Sequence, residues 1–299
     1  MKRSKKNSKS LEILNETQAR HTKVQLFFVL KYGLRYIILI FLSILVLVPI
    51  YWVVVTSLKT KSAILFWPPQ WFPNPISLNS YKEVFKQLPM VRMTLNSVII
   101  AVTMIVTNLV FCSLAGYTFA RKRFPGKDIL FLLIISTMII PMYIRLIPIY
   151  LLTIKLGMQN SYQGIILPSA VTAFGIFLMR QYFSTLPLAI EDAARVDGCS
   201  EWGILFRIVL PESKPALTSL ALFTLVESMS DFLWPLIVTS TMKMRPLPVG
   251  ITLFIEDKEV YKWGQIMAMT TILIVPVIII YAILQSQFVH GLTAGAVKE

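Results

Sequence analysis

The chain is 299 residues long, 56% hydrophobic and only 15% charged, with a mean hydropathy of +0.68. Soluble domains are nearer about 45–50% apolar and about 25% charged, so an ordinary soluble domain is excluded and the length must go into membrane spans. The net charge of +14 does not point to nucleic acid, because the basic residues fall between apolar runs, where such an excess reports topology.

Runs of about 20 apolar residues, enough to cross a bilayer, predict six transmembrane helices over 36–58, 94–119, 129–152, 163–183, 217–239 and 266–288. Residues 1–35 form a basic tail, polar at its start and more helical from Leu11 to Tyr36, which reads as an interfacial helix held near anionic lipid. The first run is longer than the core of a signal peptide and no convincing cleavage site follows it, so it is expected to stay as a helix. The tail carries Lys2, Arg3, Lys5, Lys6, Lys9, Arg20, Lys23, Lys31 and Arg35, and the connection after the second run packs Arg121, Lys122, Arg123 and Lys127. Basic connections stay inside, so both termini and the connection 184–216 are expected to be cytoplasmic. The loops 59–93 and 240–265 then lie outside. The Trp- and Pro-rich stretch from Phe66 to Pro75 fits an interfacial aromatic belt.

The two cysteines, Cys112 and Cys199, form no disulfide framework, and the two histidines, His21 and His290, lie outside the spans. A metal centre or a His-based catalytic site therefore has little to draw on. Charges inside the runs are more telling. Arg145 in the third, and Glu227 and Asp231 in the fifth, would each cost about 2.5–3.5 kcal/mol facing lipid near the bilayer centre. Glu227 and Asp231 are four residues apart and share a helix face with Thr224 and Trp234 close by. Two readings stay open: a polar contact between helices, or a path for a solute with apolar faces and hydroxyl rims. Helical rise places Arg145 and Asp231 at similar depths, about 3 Å apart, which predicts an ion pair. Asn96, Asn108 and the Met-rich sixth run read as packing or helix–helix hydrogen bonds.

The informative stretch is Leu186 to Leu217. Pro187 opens an amphipathic helix with Ala189, Ala193, Ala194 and Val196 among Glu191, Asp192, Arg195 and Asp197. Gly198 then permits a left-handed stop or a close backbone approach. Phe206, Ile208 and Leu210 supply a second short helix before Pro211 and Pro215. The order Asp192-Ala193-Ala194, Gly198, Ile208, Leu210, Pro211 resembles the EAA loop of ABC importer permeases, with every spacing kept. Asp192 stands where that family usually has Glu, and Cys199 where Ala is common.

The resemblance runs along most of the chain and is closest to maltose-type sugar permeases. Its carriers are Pro49-Ile50-Tyr51-Trp52, Ala115-Gly116-Tyr117 with Phe119-Ala120-Arg121, Phe124-Pro125-Gly126, Arg180-Gln181-Tyr182-Phe183, Asp231-Phe232-Leu233-Trp234-Pro235 and the ending from Gln287 to Lys298. It implies an all-α integral membrane protein whose transmembrane domain covers 36–299, with a cytoplasmic coupling loop between spans four and five. It further implies a cell-membrane transport subunit that is not itself an enzyme. The partners implied are a second, different permease, two ATPase subunits carrying ATP and Mg, an external solute-binding protein, and a sugar. Asp192, Ala193, Ala194, Asp197, Gly198, Ile208, Leu210 and Pro211 would form the ATPase-coupling element. Thr224, Glu227, Asp231, Trp234 and Arg145 are candidates for the substrate path. No phosphate-binding loop is present: Gly198 and Gly203 are five apart, but Ile204 and Leu205 follow where Lys and Ser or Thr are needed. The competing expectations are a permease for another solute (a glycerol phosphodiester, polyol or peptide), a stand-alone secondary carrier, and a membrane-embedded hydrolase.

Overall fold

The computed structural model describes residues 32–255 and 262–293. The expected interfacial helix of the tail lies outside them up to residue 31. All regular structure among the described residues is helical. The chain divides into two compact units, residues 1–55 and 56–299.

The first unit is represented by α1, Tyr32–Ser57, as far as Val55. At about 1.5 Å per residue it extends about 39 Å, more than the roughly 30 Å apolar core of a bilayer. Its flanks are apolar and exposed, from Tyr36 to Leu47.

In the second unit, short helices α2 (Lys61–Ile64) and α3 (Asn79–Gln87) precede α4, Met90–Arg121. α4 contains no proline and reaches about 48 Å at the helical rise, so it projects beyond a bilayer core. It packs along α8 (Ala173–Thr185) and α12 (Lys214–Ser230), and α12 packs along α15, Trp263–Thr293. Gly116 makes the α4–α8 approach possible: a Cβ there would sit 2.7 Å from the Met179 Cβ and 2.9 Å from the Arg180 backbone nitrogen. Tyr117, Phe119, Met179, Phe183, Ile204, Leu205 and Val209 close the core around that crossing.

Among the described residues three helices are long and apolar enough to cross a membrane, or four if the bent pair of α7 (Tyr162–Ile166) with its continuation to Ser169 and α8 counts as one. The expected third, fourth and fifth spans are each interrupted. α5 (Lys127–Ser136) and α6 (Met142–Lys155) are split before Pro141; α12 and α13 (Leu233–Val238) are split at Asp231 and Phe232. The reason is shared. A proline ring clashes with the carbonyl four residues back, and Thr137 and Asp231 stand four before Pro141 and Pro235. Between α7 and α8, which bend by 44°, the side chain of Asn108 stitches the gap. Its Nδ2 donates to the Ser169 carbonyl at 2.9 Å, and its Oδ1 accepts from the Thr172 hydroxyl at 2.9 Å. Asn96 similarly donates to the carbonyls of Lys243 and Arg245. Asn96 Oδ1 also accepts from the Tyr162 hydroxyl of α7 at 2.7 Å, so each asparagine ties α4 to a neighbouring element.

The supposed loop 240–265 is corrected in part. Leu247–Ile255 is a helix, α14, whose Leu247 and Phe254 are buried with Met93 and Met269, and whose Val249 is buried as well. A helix of nine residues is too short to span; such a length suits a packed core helix.

Candidate functional site

The segment between α8 and α12 folds as short helical pieces against the ends of α4 and α8. Pro187 takes the position before α9 (Leu188–Val196), with extended backbone at ψ 126°. Gly198 stops the helix in the left-handed region at φ +80°, and nothing lies within 4 Å of where a Cβ would be. The left-handed stop is therefore what the glycine supplies within this chain. α10 (Glu201–Ile204) follows, capped by the Ser200 hydroxyl accepting from the Gly203 amide at 3.2 Å. A wide turn, Leu205–Val209, then leads through α11 (Leu210–Glu212) into α12. The expected interruption before the fifth run falls at Ser213, between Pro211 and Pro215, where α11 ends and α12 begins.

The coupling candidates divide between two faces. Asp192, Ala193, Asp197, Gly198 and Pro211 are exposed, as is Val196. Ala194 is buried, and Ile208 and Leu210 are half-buried against the α4–α8 core. The latter three therefore hold the segment in place; the former present a face of small and acidic groups.

What fixes that face is a charge network. Glu191 is 2% exposed and Arg121, at the end of α4, is 6% exposed; Arg121 Nε meets Glu191 Oε1 at 2.6 Å. Arg121 Nη2 also donates to the Leu186 carbonyl at 2.7 Å, and the Tyr117 hydroxyl donates to Glu191 Oε2 at 3.0 Å. Outside this, Arg195 pairs with Asp192 at 2.7 Å and with Glu201 at 3.0 Å, and Lys122 reaches Glu201 at 2.5 Å. Hydrogen bonding from Arg195, then from Lys122, holds the Glu201 carboxyl down at about 2 against its ordinary 4.5. A depressed carboxylate stabilises the fold above its unfolded value and loses that contribution as pH falls through its folded one. The thermal midpoint should thus fall between pH 4.5 and about 2, and Glu201→Gln should remove part of that fall. Since Glu201 is 48% exposed, the effect belongs with surface pairs, at roughly 0–1 kcal/mol.

Sequence reasoning placed the interest on Asp192 and missed Glu191 and Arg121 as a pair. The signal was available. Glu191 precedes Ala194 by three and so shares its inward face, while Arg121 entered as a topology charge and a family match and not as a partner of the segment.

The second group of candidates meets at a cavity of about 320 Å³ lined by Arg145, Glu227, Asp231 and Trp234, with Met104 and Ser169. Thr224 is buried away from its lining. The expected Arg145–Asp231 ion pair is not formed: among the described residues no acidic group lies within 4.0 Å of Arg145. Two things defeated the depth estimate. The breaks at Pro141 and Asp231 shift both residues off continuous helices, and Asp231 Oδ1 accepts from the Trp234 amide at 3.3 Å. Trp234 is 4% exposed, and its Nε1 donates to the Gly164 carbonyl at 3.1 Å. An aromatic wall, two carboxylates and a guanidinium around one opening can take up a polar solute with apolar faces. A larger apolar cavity of about 440 Å³ lies along α12, α14 and α15 near Val226, Ile251 and Leu273 and has no charged group on its wall.

Residues 110–293 match the family described as the binding-protein-dependent transport system inner membrane component. The chain belongs to that family. As such a component it is a multi-pass protein of the cell membrane, and the exposed Val98, Val102, Val106 and Val110 along α4 suit a chain surrounded by lipid or by other spans. The chain is 35% identical over 260 residues to the arabinooligosaccharides transport system permease protein AraQ of Bacillus subtilis, covering 86% of this chain and 92% of the relative. It is 32% identical over 267 residues to the sulfoquinovosyl glycerol transport system permease protein SmoH of Agrobacterium fabrum, covering 89% and 93%. Among solved structures it resembles a bacterial ABC transporter involved in the import of the acidic polysaccharide alginate. That likeness has a TM-score of 0.76 at 25% identity, over 85% of this chain and 95% of that one. The transport component thus has relatives that are themselves transport permeases.

Proposed function

We propose that the chain is one permease subunit of an ATP-driven importer for a sugar or oligosaccharide. A second permease completes the path, two separate ATPase subunits bind ATP and Mg, and an external binding protein delivers the solute. In this reading six spans cross the membrane, the third to fifth as broken helices, with both termini inside and residues 186–217 facing the ATPases. The observation that carries it is the exposed α9 face of Asp192, Ala193, Val196, Asp197 and Gly198, held out on a buried charge network in a chain of this family. Small side chains there admit a docking partner closely, and Asp192 offers it a carboxylate. The sugar assignment is supported by the relatives named for arabinooligosaccharides and a glycosyl glycerol, and by the Trp234 wall beside charged acceptors. Arg145 on the same cavity favours, as a second reading, a saccharide bearing an acid group.

Reconstituting the chain with its ATPases, second permease and binding protein tests the proposal. ATP hydrolysis should rise when binding protein loaded with saccharide is added, and uptake by the chain alone would defeat it in favour of a secondary carrier. Calorimetry on the binding protein with neutral and acidic saccharides separates the two sugar readings. Gly198→Leu should insert normally yet cut uptake at least about tenfold, since the side chain adds docking bulk and about 1–2 kcal/mol of left-handed strain. Gly198→Asn, which tolerates that backbone, should lose less. Parental uptake by Gly198→Leu would remove this loop from the ATPase contact.

A further inference from the structure

The face that α9 presents is explained by the proposed docking; how a push on α9 would reach the cavity is not. α9 has only two buried residues, Glu191 and Ala194. Burying one alanine methyl is worth about 0.8 kcal/mol, and an apolar contact has no preferred direction. It would let a short helix roll or slide under load. A guanidinium–carboxylate contact with further donors is directional as well as strong.

We propose that Arg121, assisted by Tyr117, is a positioning residue for coupling: it makes α9 a rigid extension of α4. Arg121 binds two elements at once, Glu191 of α9 at 2.6 Å and the Leu186 carbonyl at the end of α8 at 2.7 Å. Tyr117, one turn earlier, takes the second Glu191 oxygen, and its ring is held edge-on to Phe183 at 6.0 Å. Both Glu191 oxygens are therefore engaged by α4, so α9 cannot rotate about its axis without breaking a buried charged contact. From Arg121, α4 continues without a proline to Met104 on the cavity wall, about 25 Å away at the helical rise. α8 offers no equal route, because it is bent by 44° from α7 before reaching Ser169. Arg121 thus sits where a displacement of α9 enters a long proline-free helix that reaches the cavity, alongside α12, whose Glu227 and Ser230 line the same wall.

This inference rests on the docking reading of α9, and its test keeps the two apart. In proteoliposomes holding the whole transporter, solute imported per ATP hydrolysed is measured for the parental chain, Arg121→Gln, Arg121→Lys and Tyr117→Phe. Arg121→Gln should assemble and hydrolyse ATP but import less per ATP by at least about fivefold, the low end of coupling between sites. Arg121→Lys, with charge but no fork, should recover part of that ratio, and Tyr117→Phe should lose less than Arg121→Gln. A ratio unchanged in Arg121→Gln, with both rates falling together, would reduce the contact to ordinary stabilisation and overturn the proposal. Should Arg121→Gln fail to assemble, spin labels on Thr118 and Ala189, both exposed, decide the matter in an otherwise parental complex. Their separation should be the same with and without ATP; a separation that changes between the two states overturns the rigid connection. Cross-linking from Ala193→Cys to the ATPase tests the docking reading by itself, and its failure would leave the label distance free to stand or fall alone.

Discussion

Glu191→Ala is expected to lower the stability of the purified chain by about 3–5 kcal/mol, the usual consequence of removing one member of a buried ion pair. The cause is what remains. Arg121, 6% exposed, would keep its charge and lose its carboxylate, and the Tyr117 hydroxyl would lose its acceptor. Glu191→Gln should cost less, because an amide oxygen still accepts from one of these donors. Replacing both members with apolar residues of similar size removes the stranded charge and is often neutral or better, so Arg121→Met with Glu191→Leu should regain most of the thermal midpoint. Asp192→Ala, by contrast, breaks only an exposed pair with Arg195 at 67% exposure and should cost at most about 1 kcal/mol. If Glu191→Ala and Asp192→Ala melted together, the buried network would not be what holds α9.

That contrast marks where the sequence could be read and where it could not. The long apolar runs were legible because their solvent is uniform: Met90–Arg121 encloses the expected 94–119, and Tyr32–Ser57 covers all but the last residue of the expected 36–58. Gly198 was legible as well, since the left-handed backbone it adopts is one that few other residues accept. The breaks inside the third and fifth runs were less so. Pro141 and Pro235 are visible in the sequence, but a proline in an apolar run can equally kink a helix or end it. At Asp231 the choice went to an end, with the side chain accepting from the Trp234 amide. Glu191 and Asp192 look alike as neighbouring acids; only the rotation of α9 against α4 separates a buried anchor from an exposed one. Tertiary packing of that kind leaves a trace of period, here Glu191 with Ala194, too short to stand alone over nine residues. α14 escaped for the same reason, its apolar run being shorter than a span.

Removing the aromatic wall of the cavity is expected to have the largest effect on uptake. Trp234→Ala takes away a side chain 4% exposed, which costs about 3–5 kcal/mol in a packed core, and it also strips the apolar surface facing Arg145, Glu227 and Asp231. Loss of uptake alone would therefore not distinguish collapse from a lost solute contact. Trp234→Phe makes that distinction: it keeps a ring and loses the indole donor to Gly164, a neutral hydrogen bond worth about 0.5–1.5 kcal/mol. If the ring faces the solute, Trp234→Phe should transport at a raised KM and Trp234→Ala should not transport at all. The carboxylates follow from the same geometry. Asp231→Asn keeps an oxygen for the Trp234 amide and so should leave the thermal midpoint nearly unchanged while lowering uptake. Arg145 forms no ion pair within 4.0 Å among the described residues, so the stability of the double variant should lie near the sum of the Asp231→Asn and Arg145→Gln effects, apart from the modest coupling that a shared cavity allows. A double variant markedly more stable than that sum would mean that the two groups do meet in another state of the transport cycle, and would return Asp231 from the solute path to a contact between helices.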